Sequence, residues 1–291
     1  MRTDSGATAV QVFGVKAPMG SEDPQLPVTS SSEPDWAPDA RACYEDALEA
    51  LLETGISFVV GGAFAVHTHT GIWRVTKDLD LLLTARDMPA ALDRLNGRGF
   101  ETYVKDPVWL AKASRGEYFV DLITGIGNAS LAVDKTWIDR GIPRLILGLP
   151  CRVLGVEELI VSKIFVAYRE RFDGADVVHL IRARGKTLDW ARLLELTGSH
   201  WELLFWSLVL FAYVYPAHSD DVPDSIWDRL TGWFSRSIRN PSKNAPFRGT
   251  LVDPRMFAID VDEWGERNLY KEYCASHPSL IQTDNSHGSH E

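Results

Sequence analysis

The chain has 291 residues, 45% of them hydrophobic, which is enough for one large domain or a domain with a second lobe. Its formal net charge of −10 argues against broad, non-specific binding of nucleic acid, which needs a basic surface, though not against a local basic groove. The three cysteines, Cys43, Cys151 and Cys274, have no Cys-x-x-Cys spacing, so they read as reduced thiols of a cytoplasmic protein and not as a zinc site or disulfide framework. No basic segment followed by an apolar one marks a signal peptide at the N-terminus.

Residues 1–35 are rich in Ser, Pro, Gly, Asp and Glu and read as a disordered leader. From Asp39 to Glu53 the apolar residues Ala42, Leu48, Leu51 and Leu52 fall near helical spacing, and Gly55 closes that helix. The stretch 58–83, FVVGGAFAVHTHTGIWRVTKDLDLLL, then reads as strand, glycine turn, short helix, link and strand. The first strand is Phe58–Val60, or Ile56–Val60 at its widest, and runs into Gly61-Gly62. Glycine lets a backbone turn sharply and approach a ligand closely. A helix starting near Ala63 would offer its free N–H groups to an anion.

The second strand, Asp78–Leu83, carries Asp78 and Asp80 in an apolar run. Residues two apart on a strand share a face, so these carboxylates project together. Paired carboxylates on a core strand repel each other and are costly to desolvate. A divalent cation removes that cost, and Mg²⁺ is held by one or two carboxylates plus substrate phosphates. Arg74 and Lys77 stand just before the pair, where cations reach a triphosphate; a plain surface role competes with that reading. His67 and His69, two apart on a helix, point away from each other and do not make a metal pair.

Gly61-Gly62, the stretch 63–77, then Asp78-Leu79-Asp80-Leu81 resembles the signature of the nucleotidyltransferase superfamily typified by DNA polymerase β. With Gly71 and Arg74-Val75-Thr76-Lys77 it looks most like small bacterial members, among them lincosamide-type antibiotic nucleotidyltransferases and AbiEii/MenT-type toxins. The resemblance spans about residues 55–182. It implies an α/β (α+β) fold, a mixed sheet flanked by helices, here followed by a C-terminal helical lobe.

Beyond Leu83 the pattern predicts a helix over Arg86–Arg98 and strands over Phe100–Val104, Val108–Ala113 and Glu117–Thr124. Asp121 sits inside the last of these, in Tyr118-Phe119-Val120-Asp121-Leu122-Ile123. The resemblance implies that it is the third carboxylate of the site; the competing reading is an acid paired with Lys112 or Arg115. Gly125-Ile-Gly127-Asn-Ala-Ser130 is a near miss of the dinucleotide fingerprint with no fitting helix behind it, and reads as a flexible loop at the mouth of the site. A hairpin is expected around Gly148-Leu149-Pro150, from Arg144–Leu147 and Cys151–Leu154.

The next helix is expected over Glu157–Arg171, with Lys163 among its apolar residues and Asp176 beginning the helix after it. A Lys on a helix, then an Arg, then an Asp opening the next helix resembles AbiEii-type proteins. The resemblance implies that Lys163 meets nucleotide phosphate and that Asp176 positions Lys163 or Arg169; an interhelical salt bridge is the competing reading. Further helices are expected over Leu188–Thr197, Trp201–Tyr215, Val222–Ile238 and Trp264–Tyr273. The almost unbroken apolar run WELLFWSLVLFAYVY is too short to span a bilayer and reads as a buried helix of the C-terminal lobe. The expected division is leader 1–35, nucleotidyltransferase domain 36–185, helical lobe 186–275 and disordered tail 276–291.

The resemblance implies a cytoplasmic enzyme that moves a nucleoside monophosphate from a triphosphate, ATP among the candidates, to an acceptor hydroxyl and releases pyrophosphate. Asp78, Asp80 and Asp121 would hold two Mg²⁺ ions, Gly61 and Gly62 would bind triphosphate through backbone amides, and Arg74, Lys77 and Lys163 would supply cations. The acceptor would be a small hydroxylated molecule, a tRNA end or a protein side chain, and toxin-type members imply an antitoxin partner. An inactive nucleotide- or partner-binding member and another metal-dependent phosphotransferase are the alternatives.

Overall fold

Seven strands form the sheet on which the molecule is built, in a computed structural model that describes residues 37–74, 76–277 and 280. The expected leader, and the expected tail except for residues 276, 277 and 280, lie outside the described residues. Helix α1 (Pro38–Leu52) leads to β1 (Phe58–Val60), α2 (Gly62–Thr70), β2 (Asp78–Leu83) and α3 (Met88–Gly97). Strands β3 (Glu101–Asp106), β4 (Leu110–Arg115) and β5 (Tyr118–Ile123) form an antiparallel meander. The short helix α4 (Lys135–Asp139), absent from the sequence expectations, is capped by the Asp134 carboxylate, which accepts from the Thr136 and Trp137 N–H groups. Strands β6 (Ile142–Ile146) and β7 (Leu149–Val153) follow.

The strand order is β3-β4-β5-β2-β1-β7-β6. β2 runs parallel to β5 and β1 parallel to β7, while every other adjacent pair is antiparallel, so the sheet is mixed as expected. The two central strands follow from composition. All three residues of β1 are buried, and Leu79, Leu81 and Leu83 of β2 are fully so, the continuous apolar content that a central strand requires. The hairpin turn between β6 and β7 lies at Leu147-Gly148, slightly before the expected position. Both residues have positive φ (51° and 82°), the conformation a tight two-residue hairpin demands.

One larger correction concerns the expected helix over Glu157–Arg171. It is α5 (Val156–Ile164) and stops there. The chain then makes a small hairpin, β8 (Ala167–Tyr168) and β9 (Arg171–Phe172), before α6 (Gly174–Arg184). The Asp173 N–H donates to the Val166 carbonyl (3.1 Å), which folds the hairpin back and delivers Asp173 to Lys163 on α5. Gly174 sits over the Phe172 ring, where a Cβ would lie 2.5 Å from Cε1. Helical spacing continues across the segment, and long-range charge pairing overrides it.

Helices α7 (Trp190–Thr197), α8 (Trp201–Val214) and α9 (Asp224–Arg239) follow, then α10 (Gly249–Val252), α11 (Ala258–Asp262) and α12 (Leu269–Ser276). α6 and α7 both pack on α5, and α8 packs on α5, α6 and α7. One apolar core runs from α1 and the sheet through Leu204, Leu208 and Phe211 of α8 to Ile226 and Leu230 of α9. The expectation that α8 is buried holds for one face only. Trp206, Val209 and Tyr213 on the other face are exposed, Tyr213 to 83%. All three cysteines are free thiols. Among the described residues no helix is long and apolar enough to cross a membrane.

Candidate active site

A cavity of about 350 Å³ opens where β2, β5, the glycine turn and the α5–α6 region meet. Strand alternation explains its floor. Leu79, Leu81 and Leu83 point into the core, so Asp78, Asp80 and Leu82 point the other way and line the cavity. Register then sets what stands beside them. Asp80 pairs laterally with Asp121 on the parallel strand β5, and Asp121 pairs with Lys112 on the antiparallel strand β4. Lys112, Asp121 and Asp80 therefore form a row across three adjacent strands.

The glycine turn completes the row. Gly61 donates its N–H to the Asp80 carbonyl at 2.8 Å. Gly62 opens α2 with φ +52°, and a Cβ there would overlap Asp80 Oδ2 and lie 2.7 Å from its Cγ. Only glycine meets both the backbone conformation and the closeness of the carboxylate. Gly62 lines the cavity beside Asp80.

These carboxylates are held unfavourably. Burial first, then the charges of Asp78 and Asp121, push the Asp80 carboxyl up to about 7. Burial also raises Asp121, against the hydrogen bond and charge of Lys112. Lys112 Nζ lies 2.6 Å and 2.9 Å from the two Asp121 oxygens. Asp78 accepts from the Thr76 hydroxyl. Neither Asp78 nor Asp80 forms an ion pair among the described residues. Two adjacent carboxylates without a cationic partner are a donor set that suits one divalent ion completed by phosphate oxygens. Among the described residues no three His, Cys, Asp or Glu side chains form a ready metal cluster. Asp121, expected as the third carboxylate, lines the same cavity and accepts from Lys112, the ammonium that the neighbouring strand supplies in register.

The opposite wall is cationic and interlocked. Lys163, buried on α5, donates to Asp173 (2.9 Å) and Asp176 (2.8 Å). Arg74 reaches Asp176 at 2.7 Å, and Arg171 holds Asp173 with two hydrogen bonds of 2.9 Å. Burial opposes the charge of Asp173, but Arg171 and Lys163 together keep its carboxyl below its usual range. Both readings of Asp176 meet here: it fixes Lys163 through an interhelical ion pair, and both residues line the cavity. It does so without Arg169, whose N–H bonds Asp253 (3.1 Å).

Of the expected residues, Gly62, Arg74, Asp78, Asp80, Asp121, Lys163 and Asp176 line one cavity. Gly61 stands behind Gly62, its Cβ position 2.5 Å from Leu82 Cδ1. Lys77 does not join them. It lies on the surface with its Nζ 2.7 Å from Glu117, because it directly precedes Asp78 and strand alternation sends it to the other side. Arg171 and Asp173 line the cavity without having been assigned a role from sequence, as do Trp109, Ser162 and Tyr168. The signal for the first pair is their spacing of two in an extended segment, hidden by the helical reading. The glycines Gly125 and Gly127 also line the cavity, packed against Trp109. His69 bonds the Leu154 carbonyl through its Nε2 at 2.8 Å.

Residues 40–196 match the model of the family described as "Nucleotidyl transferase of unknown function (DUF2204)". The chain belongs to this family. As a nucleotidyltransferase it also resembles several solved structures at low identity. The solution structure of the antibiotic-resistance factor ANT(2'')-Ia is 16% identical, over 62% of this chain and 98% of that one, with a TM-score of 0.41. The lincosamide antibiotic adenylyltransferase LnuA, with lincomycin bound, is 14% identical over 48% and 94%, with a TM-score of 0.37. An antigenic nucleotidyltransferase-like protein from Paracoccidioides brasiliensis is 16% identical over 64% and 93%, with a TM-score of 0.38. No curated protein matches the sequence.

Proposed function

We propose that this nucleotidyltransferase moves a nucleoside monophosphate from a nucleoside triphosphate to the hydroxyl of a small acceptor, with Mg²⁺ held by Asp78 and Asp80. The observation that carries the reading is the pair Asp78–Asp80, without an ion pair among the described residues and set against Gly62, on the cavity that Lys163, Arg171 and Arg74 also line. A triphosphate needs both surfaces, carboxylates for its metal ion and fixed cations for its remaining charge. When bound, the ion supplies charge neutralisation for the phosphates.

The chain's own groups do the rest. The acceptor oxygen attacks the α-phosphorus, an O–P bond forms, and the bond to the bridging oxygen breaks. That oxygen leaves with the electron pair as part of pyrophosphate. The acceptor proton passes to the Asp121 carboxylate, whose proton affinity burial raises against the opposing effect of Lys112. Lys163 and Arg171, prepositioned by Asp173 and Asp176, stabilise charge without reorganising. A cavity of about 350 Å³ suits small-molecule partners, and the net charge of −10 disfavours a long nucleic acid. Residues 36–185 would then be the catalytic domain and 186–275 the helical lobe.

The test is label transfer. The protein is incubated with Mg²⁺, each α-labelled nucleoside triphosphate and the small-molecule fraction of a lysate, beside an Asp78→Asn/Asp80→Asn variant. Label on an acceptor with wild type alone is the expected result. Equal transfer by the variant, or release of label only as free nucleotide, would overturn the reading.

A further inference from the structure

We propose that Lys112 is a positioning residue that stands where a second metal ion would otherwise sit, so that the transferase works with one divalent ion while Lys112 holds Asp121 toward the acceptor hydroxyl. The inference rests on the reading of Asp78 and Asp80 as the ligands of the triphosphate-bound ion. Lys112 and Asp121 face each other in register on β4 and β5. The ammonium reaches both oxygens of the carboxylate, at 2.6 Å and 2.9 Å. The pair is mostly enclosed, its side chains 20% and 12% exposed. The Phe119 ring lies 5.2 Å from Nζ. An ammonium held by a strand register, a bidentate contact and an aromatic face is a built feature, unlike a solvated surface pair.

Charge pairing around the cavity leads to the same conclusion. Asp173 and Asp176 are matched by Lys163, Arg171 and Arg74, and Asp121 is matched by Lys112. That leaves Asp78 and Asp80 as the cavity carboxylates without an ion pair among the described residues, two adjacent ligands for one divalent ion. A second ion at Asp121 would have to displace the ammonium from both oxygens and then sit against it as a like charge. Held by Lys112 through both oxygens, Asp121 stays in the cavity wall beside Asp80.

The experiment counts bound Mn²⁺ by electron paramagnetic resonance on the full chain, saturated with an α,β-methylene nucleoside triphosphate that cannot be turned over. Ions are counted per enzyme-bound nucleotide, and the spectrum of Mn²⁺ with nucleotide alone shows the ion without protein ligands. Wild type is expected to hold one protein-coordinated ion per bound nucleotide, and the Asp78→Asn/Asp80→Asn variant to show only the spectrum of the nucleotide's own ion. Lys112→Met is expected to bind a second ion, and Lys112→Arg to return the count to one. In the transfer assay Lys112→Met should lower kcat while leaving KM for nucleotide near wild type. Two ions in wild type, or one in a folded Lys112→Met protein, would overturn the assignment while leaving the Asp78–Asp80 reading standing. No ion in wild type would overturn both. The wild-type count decides the matter even if Lys112→Met does not fold.

Discussion

Gly61 and Gly62 are neighbours, yet the structure assigns them unequal costs. In Gly62→Ala, the left-handed backbone at φ +52° costs an L-residue roughly 1–2 kcal/mol. The new methyl also overlaps the Asp80 carboxylate, and driving that side chain off its rotamer costs roughly 0.5–1.5 kcal/mol more. A total near 2.5 kcal/mol lowers Tm by about 5–10 °C in a domain of this size. Gly61 has φ −107° and ψ −149°, which other residues adopt, and its methyl would meet only Leu82 Cδ1 at 2.5 Å. That contact is with the far end of a flexible side chain, and Gly61→Ala should cost about 1 kcal/mol. Denaturant unfolding of both variants measures the difference. The steric part is isolated by making Gly62→Ala in an Asp80→Ala background, where it should vanish and leave a coupling of about 1 kcal/mol. Activity should fall further than stability, by about a hundredfold in Gly62→Ala, because the carboxylate that would hold the metal ion is displaced. Equal costs for the two glycines, or no coupling between Gly62 and Asp80, would refute the close approach on which the site depends.

Four further outcomes follow from the same geometry. Lys163→Met leaves Asp173 and Asp176 with one buried cation fewer each, and should cost about 3 kcal/mol in urea unfolding. Lys77→Ala should leave KM for nucleotide within about twofold of wild type, since its partner is the exposed Glu117. Asn128→Ala removes a buried hydrogen bond to the Leu251 carbonyl (3.0 Å), and should cost about 1 kcal/mol and speed proteolysis within residues 249–277. Asp80 binds its proton more tightly folded than unfolded, so it contributes stability in acid that is lost as pH rises toward about 7. Asp173, Asp134 and Asp253, with lowered proton affinity, work in the opposite direction. The informative quantity in metal-free buffer is therefore the Tm of wild type minus that of Asp80→Asn, which should shrink between about pH 4 and 7 and recover on adding Mn²⁺. A difference that stays flat across that range would remove the argument for a strained carboxylate.

Local pattern was sufficient for the first half of the site. Phe58–Val60, the glycine pair and Asp78–Leu83 form one short-range unit, in which strand alternation alone puts Asp78 and Asp80 on one face and Leu79 and Leu81 on the other. The strand holding Asp121 was also legible, because alternation and turn residues bound it on both sides. Two things were not. The hairpin at Ala167–Phe172 is created by Lys163 drawing in Asp173 and Asp176 from ten and more positions away, and helical periodicity carries no trace of that attraction. For Asp121 the sequence offered Lys112 or Arg115 as a partner, and inter-strand register chose between them: a slip of one residue between β4 and β5 would have sent Lys112 to the opposite face. The sequence by itself determined which residues could hold a metal ion and a triphosphate, because those choices are made within a few residues. Only the tertiary structure decided that Asp121 takes Lys112 as its partner and that Lys77 stands outside the cavity, because both depend on which strands become neighbours and on which face each side chain lies.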